Sequence, residues 1–203
     1  MSTALIALKL TEKLPEIRAD YIGADKGALT LAKAGKHMRL AVGDFDSVKP
    51  EDMELIRSHA DEVLILNPVK DDTDSESALR HAIAMGYERI VMCGCLGGRA
   101  DHSLVNLRLA YQYPGLLVLQ DEQNQVMAYD KGVYTFPKDE WKYISFFTFG
   151  SAAVTLENMK YPLTERELKA DDLYTLSNEI TADSGTLTVH SGRVLVIRSK
   201  DKE

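Results

Sequence analysis

The chain changes grammar near Asp121, and that change limits the folds open to it. Before it, short and nearly unbroken apolar runs occur at Ala4–Leu8, Tyr21–Ala24, Leu40–Val42, Val63–Leu66, Ile90–Cys93 and Leu116–Leu119. Runs of that length, apolar on both faces, read as strands covered on both sides. Segments of helical period lie between several of them. In Ser75–Met85, Ala78, Leu79, Ala82 and Ile83 make one face, Thr73-Asp74-Ser75-Glu76 has the form of a capping box, and Gly86 follows as the stop. Ser103–Tyr111 and Pro50–His59 read as further helices. Strands alternating with helices predict βαβ units and a mostly parallel sheet. After Asp121 the segments Gln125–Tyr129, Val133–Phe136, Tyr143–Phe149, Ala153–Glu157, Gly185–His190 and Arg193–Arg198 read as strands, the last two as a hairpin turning at His190-Ser191-Gly192. Only Thr164–Ala170 has helical character. The expectation is an α/β N-terminal domain over 1–122 followed by an all-β sandwich domain over 123–203, with no Gly/Ser or Pro linker between them.

Composition narrows the partners. The chain carries 31 Asp+Glu against 24 Lys+Arg, a net charge of −7, and no basic stripe, which speaks against a nucleic-acid groove. Its hydrophobic fraction of 45% is enough for a real core. The apolar start Ala4–Leu8 is too short for a signal segment or a membrane span. Cys93 and Cys95 are poorly placed to bridge each other and read as small core residues with reduced thiols. A cytoplasmic protein is expected.

Polar residues crowd the ends of successive runs. Asp25-Lys26-Gly27, Gly43-Asp44-Phe45-Asp46-Ser47, Lys70-Asp71-Asp72-Thr73-Asp74 and Gly97-Gly98-Arg99-Ala100-Asp101-His102 each follow a strand. Ligands of open parallel sheets bind at that carboxyl edge. If extended, Asp44 and Asp46 point to one side, with Phe45 on the other. Two carboxylates that close repel by about 3 kcal/mol at an effective dielectric of about 20. Water, protonation or a hard cation relieves that; Mg²⁺ is well suited, because it accepts carboxylates and keeps positions for phosphate oxygens. Helix-dipole stabilisation is the competing account of Asp71, Asp72 and Asp74 at a helix start. Gly97-Gly98-Arg99 before a helix offers close backbone approach, free N–H groups and a guanidinium fork. Asp101 is alternatively that helix's N-cap, and His102 a solvated or structural group. Trp141 is expected in the core of the second domain. Neither a Walker sequence nor a dinucleotide fingerprint is present. Acidic metal ligands with a few cations fit phosphoryl or pyrophosphoryl transfer from a nucleotide.

The motifs Gly23-Ala24-Asp25-Lys26-Gly27-Ala28, Gly43-Asp44-Phe45-Asp46-Ser47, Lys70-Asp71-Asp72-Thr73-Asp74, Gly97-Gly98-Arg99-Ala100-Asp101-His102 with Asn106, and Ser177-Asn178-Glu179, in this order, resemble the thiamine pyrophosphokinase family. The resemblance spans about Asp20 to Arg198. It implies pyrophosphate transfer from ATP to the hydroxyl of thiamine, giving thiamine diphosphate and AMP. It also implies a homodimer with thiamine bound between the α/β domain of one subunit and the β domain of the other. Asp44, Asp46 and Asp71 are then the implied Mg²⁺ ligands, and Asp46, Asp71 and Asp74 the implied catalytic group. Asp25, Lys26, Thr73, Gly97, Gly98, Arg99, Asp101, His102 and Asn106 are implied to bind the nucleotide. Ser177 and Asn178 are implied to hydrogen-bond the pyrimidine of thiamine. Two places depart from the family pattern: Thr11-Glu12-Lys13 stands where a Gly-rich turn usually follows the first strand, and Asn158-Met159-Lys160 stands where Gly-Leu often precedes Tyr161. A related phosphotransferase on another small alcohol and a non-catalytic nucleotide or thiamine diphosphate sensor are the other functions considered.

Overall fold

The structure is a computed structural model that describes residues 2–46, 48–67 and 73–202. Expectations for Ser47, Lys70, Asp71 and Asp72 therefore lie outside the described residues. The chain divides into two compact units, Met1–Leu109 with Leu116–Asp121 and Ala110–Gly115 with Glu122–Glu203.

Among its described residues the first unit holds six parallel strands: β1 (Thr3–Ala7), β2 (Asp20–Ala24), β3 (Met38–Gly43), β4 (Val63–Ile65), β5 (Arg89–Cys93) and β6 (Leu117–Gln120). Their order is β4-β3-β2-β1-β5-β6. Successive residues Ala4, Leu5, Ile6 and Ala7 are all buried, as are Ile90, Val91, Met92 and Cys93, so both faces of these strands are covered. The strand order reverses between β1 and β5, the position where open α/β sheets form their ligand crevice.

Helices α1 (Lys26–Lys33), α2 (Pro50–Ser58), α3 (Asp74–Ala84) and α4 (Ala100–Gln112) connect the strands. α2, α3 and α4 match the helical segments read from the sequence to within a few residues, whereas α1 has no such segment. It is short, and its apolar face is small: Ala28, Leu31 and Ala32 at i, i+3 and i+4. Two glycines let it sit close to the sheet. A Cβ on Gly23 would lie 2.3 Å from Ala28 Cα, and one on Gly27 would lie 1.9 Å from the Ala7 carbonyl oxygen. The cap of α3 matches its sequence signature, with Thr73 Oγ1 accepting from Glu76 N–H at 3.2 Å. Thr73→Ala is expected to cost about 1 kcal/mol of stability, read as a lower urea midpoint.

The second unit contains β7 (Asn124–Tyr129), β8 (Gly132–Pro137), β9 (Tyr143–Phe147), β10 (Ser151–Glu157), β11 (Leu163–Lys169), β12 (Ser184–Gly192) and β13 (Val194–Ser199). Within it, β7-β13-β9 and β11-β10-β12-β8 form antiparallel layers. Ile144, Phe146, Val194 and Val196 from the first layer share one core with Phe136, Val154, Leu156, Leu168, Leu187 and Val189 from the second, which is a sandwich. Trp141 is buried, as expected.

Two expectations are corrected here. Thr164–Ala170 is not helical: Leu163–Lys169 is the edge strand β11, paired with β10. Pairing overrides the helix preference of Glu, Leu and Lys, and exposed Glu165, Arg166 and Glu167 suit an edge that must not recruit another strand. The segments around His190-Ser191-Gly192 are not a hairpin either. β12 pairs with β10 and β8, whereas β13 pairs with β7 and β9, so the chain changes layers at Gly192–Arg193. Gly192 has φ 74°, and a Cβ there would lie 2.1 Å from the Ser151 carbonyl oxygen, so this crossing needs glycine.

Candidate active site

The carboxyl edge of the first sheet gathers the polar motifs because β4, β3 and β2 are neighbours. Asp44 and Asp46 follow β3. Phe45 between them is buried with φ 53°, so the segment is a tight turn rather than an extended strand end. The turn is closed by Asp46 N–H donating to Asp44 Oδ1 at 3.1 Å. Phe45 points inward, Asp44 is half-buried and Asp46 is exposed.

Asp25, one of the polar residues read from the sequence at this edge, reaches the same cluster. It precedes α1 with φ 48°, and its side chain does not cap that helix. Instead Asp25 Oδ1 accepts from Phe45 N–H at 3.2 Å. A Cβ on Gly43 would lie 1.9 Å from that oxygen, so Gly43 makes the space through which Asp25 reaches the turn. Burial, a hydrogen bond with Asp74, and the negative charges of Asp74 and Asp44 push Asp25 up to about 7, while the Phe45 N–H opposes the shift. Asp25, Asp44 and Asp74 thus come from three neighbouring strand ends to one place. Only the strand order makes them neighbours. Lys26, next in sequence, is the half-buried first residue of α1.

A pH dependence follows. The folded chain holds the Asp25 proton up to about 7, whereas the unfolded chain releases it near 3.8. Stability from this group is therefore complete below the lower value and is lost as pH rises through the upper one. In metal-free protein the urea midpoint is expected to decline between about pH 4 and pH 7, and Asp25→Asn is expected to flatten that decline. An equal slope in both proteins overturns the assignment.

Beside the cluster, a cleft of about 180 Å³ is lined by Thr73, Ser75, Asp101, His102, Val105 and Asn106. It lies between the starts of α3 and α4, so two helix N-termini border it. Asn106 is buried; its Nδ2 donates to the Cys95 carbonyl oxygen at 2.7 Å, and its Oδ1 has no partner among the described residues. A buried acceptor left open on a cleft is a place for a ligand or water donor. Gly97 and Gly98 have φ 84° and 64° and are exposed, and Ser103 Oγ donates to the Gly97 carbonyl oxygen at 3.0 Å. Leu10 lies over Gly98: its Cδ1 would be 2.9 Å from a Cβ there.

Arg99 is held by Asp101 through two hydrogen bonds, of 3.1 Å and 2.5 Å. The guanidinium draws the Asp101 carboxyl down to about 2. Asp101 is not the N-cap considered for α4, because it lies inside the helix, which begins at Ala100, and accepts from the adjacent His102 N–H at 2.9 Å. His102 is exposed at the rim. At the altered first turn, Thr11 is buried and donates its N–H to the Leu8 carbonyl oxygen at 3.0 Å. Gly94 closes on it from β5, a Cβ there falling 2.3 Å from Thr11 N.

Among the described residues, no group of three or more His, Cys, Asp or Glu side chains is arranged to hold a metal ion; Asp71 is outside them. Cys93 and Cys95 are buried, and burial pushes the Cys93 thiol up to about 12, so neither is poised as a nucleophile.

Ser177 and Asn178 lie in the second unit. Ser177 is exposed with φ 54°, its N–H donating to Ser145 Oγ at 2.9 Å. Asn178 is 3% exposed, and its amide is engaged within the chain: Oδ1 accepts from Tyr161 N–H at 2.9 Å and Glu179 N–H at 3.0 Å, and Nδ2 donates to the Tyr161 carbonyl oxygen at 2.8 Å.

A helix-covered parallel sheet with its acids and glycine loop at the carboxyl edge, followed by an antiparallel sandwich, defines an α/β enzyme with an appended β domain. The family description "Thiamin pyrophosphokinase, catalytic domain" matches residues 13–132, and "Thiamin pyrophosphokinase, vitamin B1 binding domain" matches residues 133–194. A thiamine pyrophosphokinase of Bacillus subtilis is 36% identical over 187 residues, covering 89% of this chain and 87% of the relative. The crystal structure of thiamine pyrophosphokinase from Bacillus subtilis aligns with a TM-score of 0.89 and 32% identity over 99% of this chain and 100% of that one. That of a thiamin pyrophosphokinase family protein from Enterococcus faecalis aligns with a TM-score of 0.89 and 31% identity over 100% of each chain. The chain belongs to the thiamin pyrophosphokinase family.

Proposed function

We propose that the protein transfers the pyrophosphoryl group of ATP to the hydroxyl of thiamine, giving thiamine diphosphate and AMP. The observation that carries this reading is the meeting of Asp25, Asp44 and Asp74 at neighbouring strand ends in a chain of this family. Carboxylate oxygens are the hard donors that Mg²⁺ takes, and the negative charges of Asp74 and Asp44 beside Asp25, which act after burial in raising it, are charges a cation would offset. Asp44, Asp46 and Asp71 would hold the ion. Bound there, it supplies charge neutralisation at the phosphate oxygens.

The chain's own groups do the rest. The N–H groups at the starts of α3 and α4 and the glycine backbone at Gly97 and Gly98 receive phosphate oxygens. Arg99 exchanges its Asp101 partner for phosphate, and His102, Asn106, Thr73 and Lys26 line the nucleotide. Asp74 orients the attacking hydroxyl, and its contact with Asp25 supports that reading. Ser177 contributes an exposed hydroxyl on the thiamine side.

The protein works in this reading as a homodimer in the cytoplasm, with residues 1–122 as the nucleotide domain and 123–203 as the thiamine and dimerisation domain. Exposed Leu173, Tyr174 and Leu176 favour a partner surface. Among the described residues, no helix is long and apolar enough to cross a membrane.

The test is incubation with ATP, Mg²⁺ and thiamine. AMP and thiamine diphosphate in equal amounts are expected. ADP overturns pyrophosphoryl transfer, and tight nucleotide binding without turnover identifies a sensor.

A further inference from the structure

The glycine loop between β5 and α4 is backed by residues that follow β1. Gly94, Gly97 and Gly98 have φ of 68°, 84° and 64°, and glycine loses more freedom on being ordered than any other residue. Two of the three are closed in. A Cβ on Gly94 would lie 2.3 Å from Thr11 N and 2.5 Å from Thr11 Oγ1, and one on Gly98 would lie 2.9 Å from Leu10 Cδ1. Gly97 differs, because a Cβ there meets nothing within 4 Å among the described residues. From α4, Asn106 Nδ2 donates to the Cys95 carbonyl oxygen at 2.7 Å and Ser103 Oγ to that of Gly97 at 3.0 Å, so both oxygens are engaged within the chain. Leu10 is 46% exposed, and next to it Thr11 is buried, its N–H closing a turn on the Leu8 carbonyl oxygen at 3.0 Å. Thr11 also opens the stretch that departs from the family pattern. An exposed leucine is ordinary by itself. One carried on a closed turn and seated against a left-handed glycine is a wall for that glycine.

Resting on the proposed reading that Gly97 and Gly98 receive phosphate oxygens, we infer that Leu10 is a positioning residue for the nucleotide: its side chain backs Gly98, so the glycine loop meets ATP already ordered. The loop then has less freedom to lose when phosphate binds, which strengthens binding. A leucine side chain has no group that bonds phosphate, so its effect passes through the loop. Thr11 gives Gly94 the same backing at the other end of the loop. The effect falls on the nucleotide and leaves thiamine untouched.

The experiment measures ATP binding by calorimetry in the presence of Mg²⁺, together with ATP KM, thiamine KM and melting temperature, in wild type and variants. Wild type is first tested for AMP and thiamine diphosphate. Their absence counts against the reaction, whereas ATP binding needs no turnover and tests the wall by itself. Leu10→Ala is expected to raise the ATP Kd and KM about fivefold, with thiamine KM unchanged. Its melting temperature stays within about 2 °C, because the side chain is half exposed. Leu10→Met, which keeps an apolar side chain of similar volume, stays within about twofold of wild type. Gly98→Ala weakens ATP binding about tenfold, and adding Leu10→Ala recovers part of that loss by making room for the new Cβ. Unchanged or tighter ATP binding in Leu10→Ala overturns the inference, as does an equal rise in thiamine KM, which marks general damage. A double variant with no recovery overturns the seating of Leu10 on Gly98.

Discussion

Asp46→Asn is expected to lower kcat about a thousandfold while moving the melting temperature by no more than about 2 °C. The two halves of that result have separate causes. The carboxylate at 46 is exposed, so the fold loses no buried interaction when its charge is removed. Its N–H, which closes the turn on Asp44 Oδ1 at 3.1 Å, is kept in the variant, and Phe45 remains the buried anchor. What is lost is one hard, negative oxygen donor in the proposed Mg²⁺ set. Turnover in rapid quench, with ATP and thiamine both saturating, is the measurement. Near-normal turnover would remove Asp46 from the metal site.

Gly27→Ala should have the largest effect on stability, about 3 kcal/mol or more, seen as a fall in melting temperature of roughly 10 °C. The added Cβ would lie 1.9 Å from the Ala7 carbonyl oxygen and 2.9 Å from Leu8 N. Both are backbone atoms, and Ala7 ends a strand paired on both sides, so neither yields cheaply. Helix α1 must lift from the sheet, taking with it Asp25 at its start. Gly150→Ala is the control: a Cβ there meets nothing within 4 Å, and its cost should stay below about 0.5 kcal/mol. Equal melting temperatures for the two variants would show that the packing of α1 on β1 is not tight.

Much of the fold was legible because burial writes itself into short-range pattern. Ala4–Ala7 and Ile90–Cys93 are apolar at consecutive positions because both faces of their strands are covered. The α3 cap was readable because Thr73 and Glu76 act three residues apart. What failed had weak local signals. Helix α1 shows only a few apolar positions. Edge strand β11 is written in helix-forming residues, and its conformation comes from pairing with β10. The link from β12 to β13 looks like a tight turn from either side, and only the partners of each strand reveal that it joins different layers.

The site divides in the same way. Which chemical groups follow each apolar run can be read directly from the chain: the acids at 25, 44, 46, 71 and 74, and the glycines before Arg99. That follows from local rules, since a parallel strand must end and a helix must begin within a few residues. Which of these groups meet is set by long-range pairing. Strand order sets β2 beside β3 and so brings Asp25 through the gap at Gly43 to the Asp44 turn. The pairing of 144 with 178 turns Asn178 inward onto Tyr161. Such meetings depend on contacts between residues tens of positions apart, and no short-range pattern encodes them.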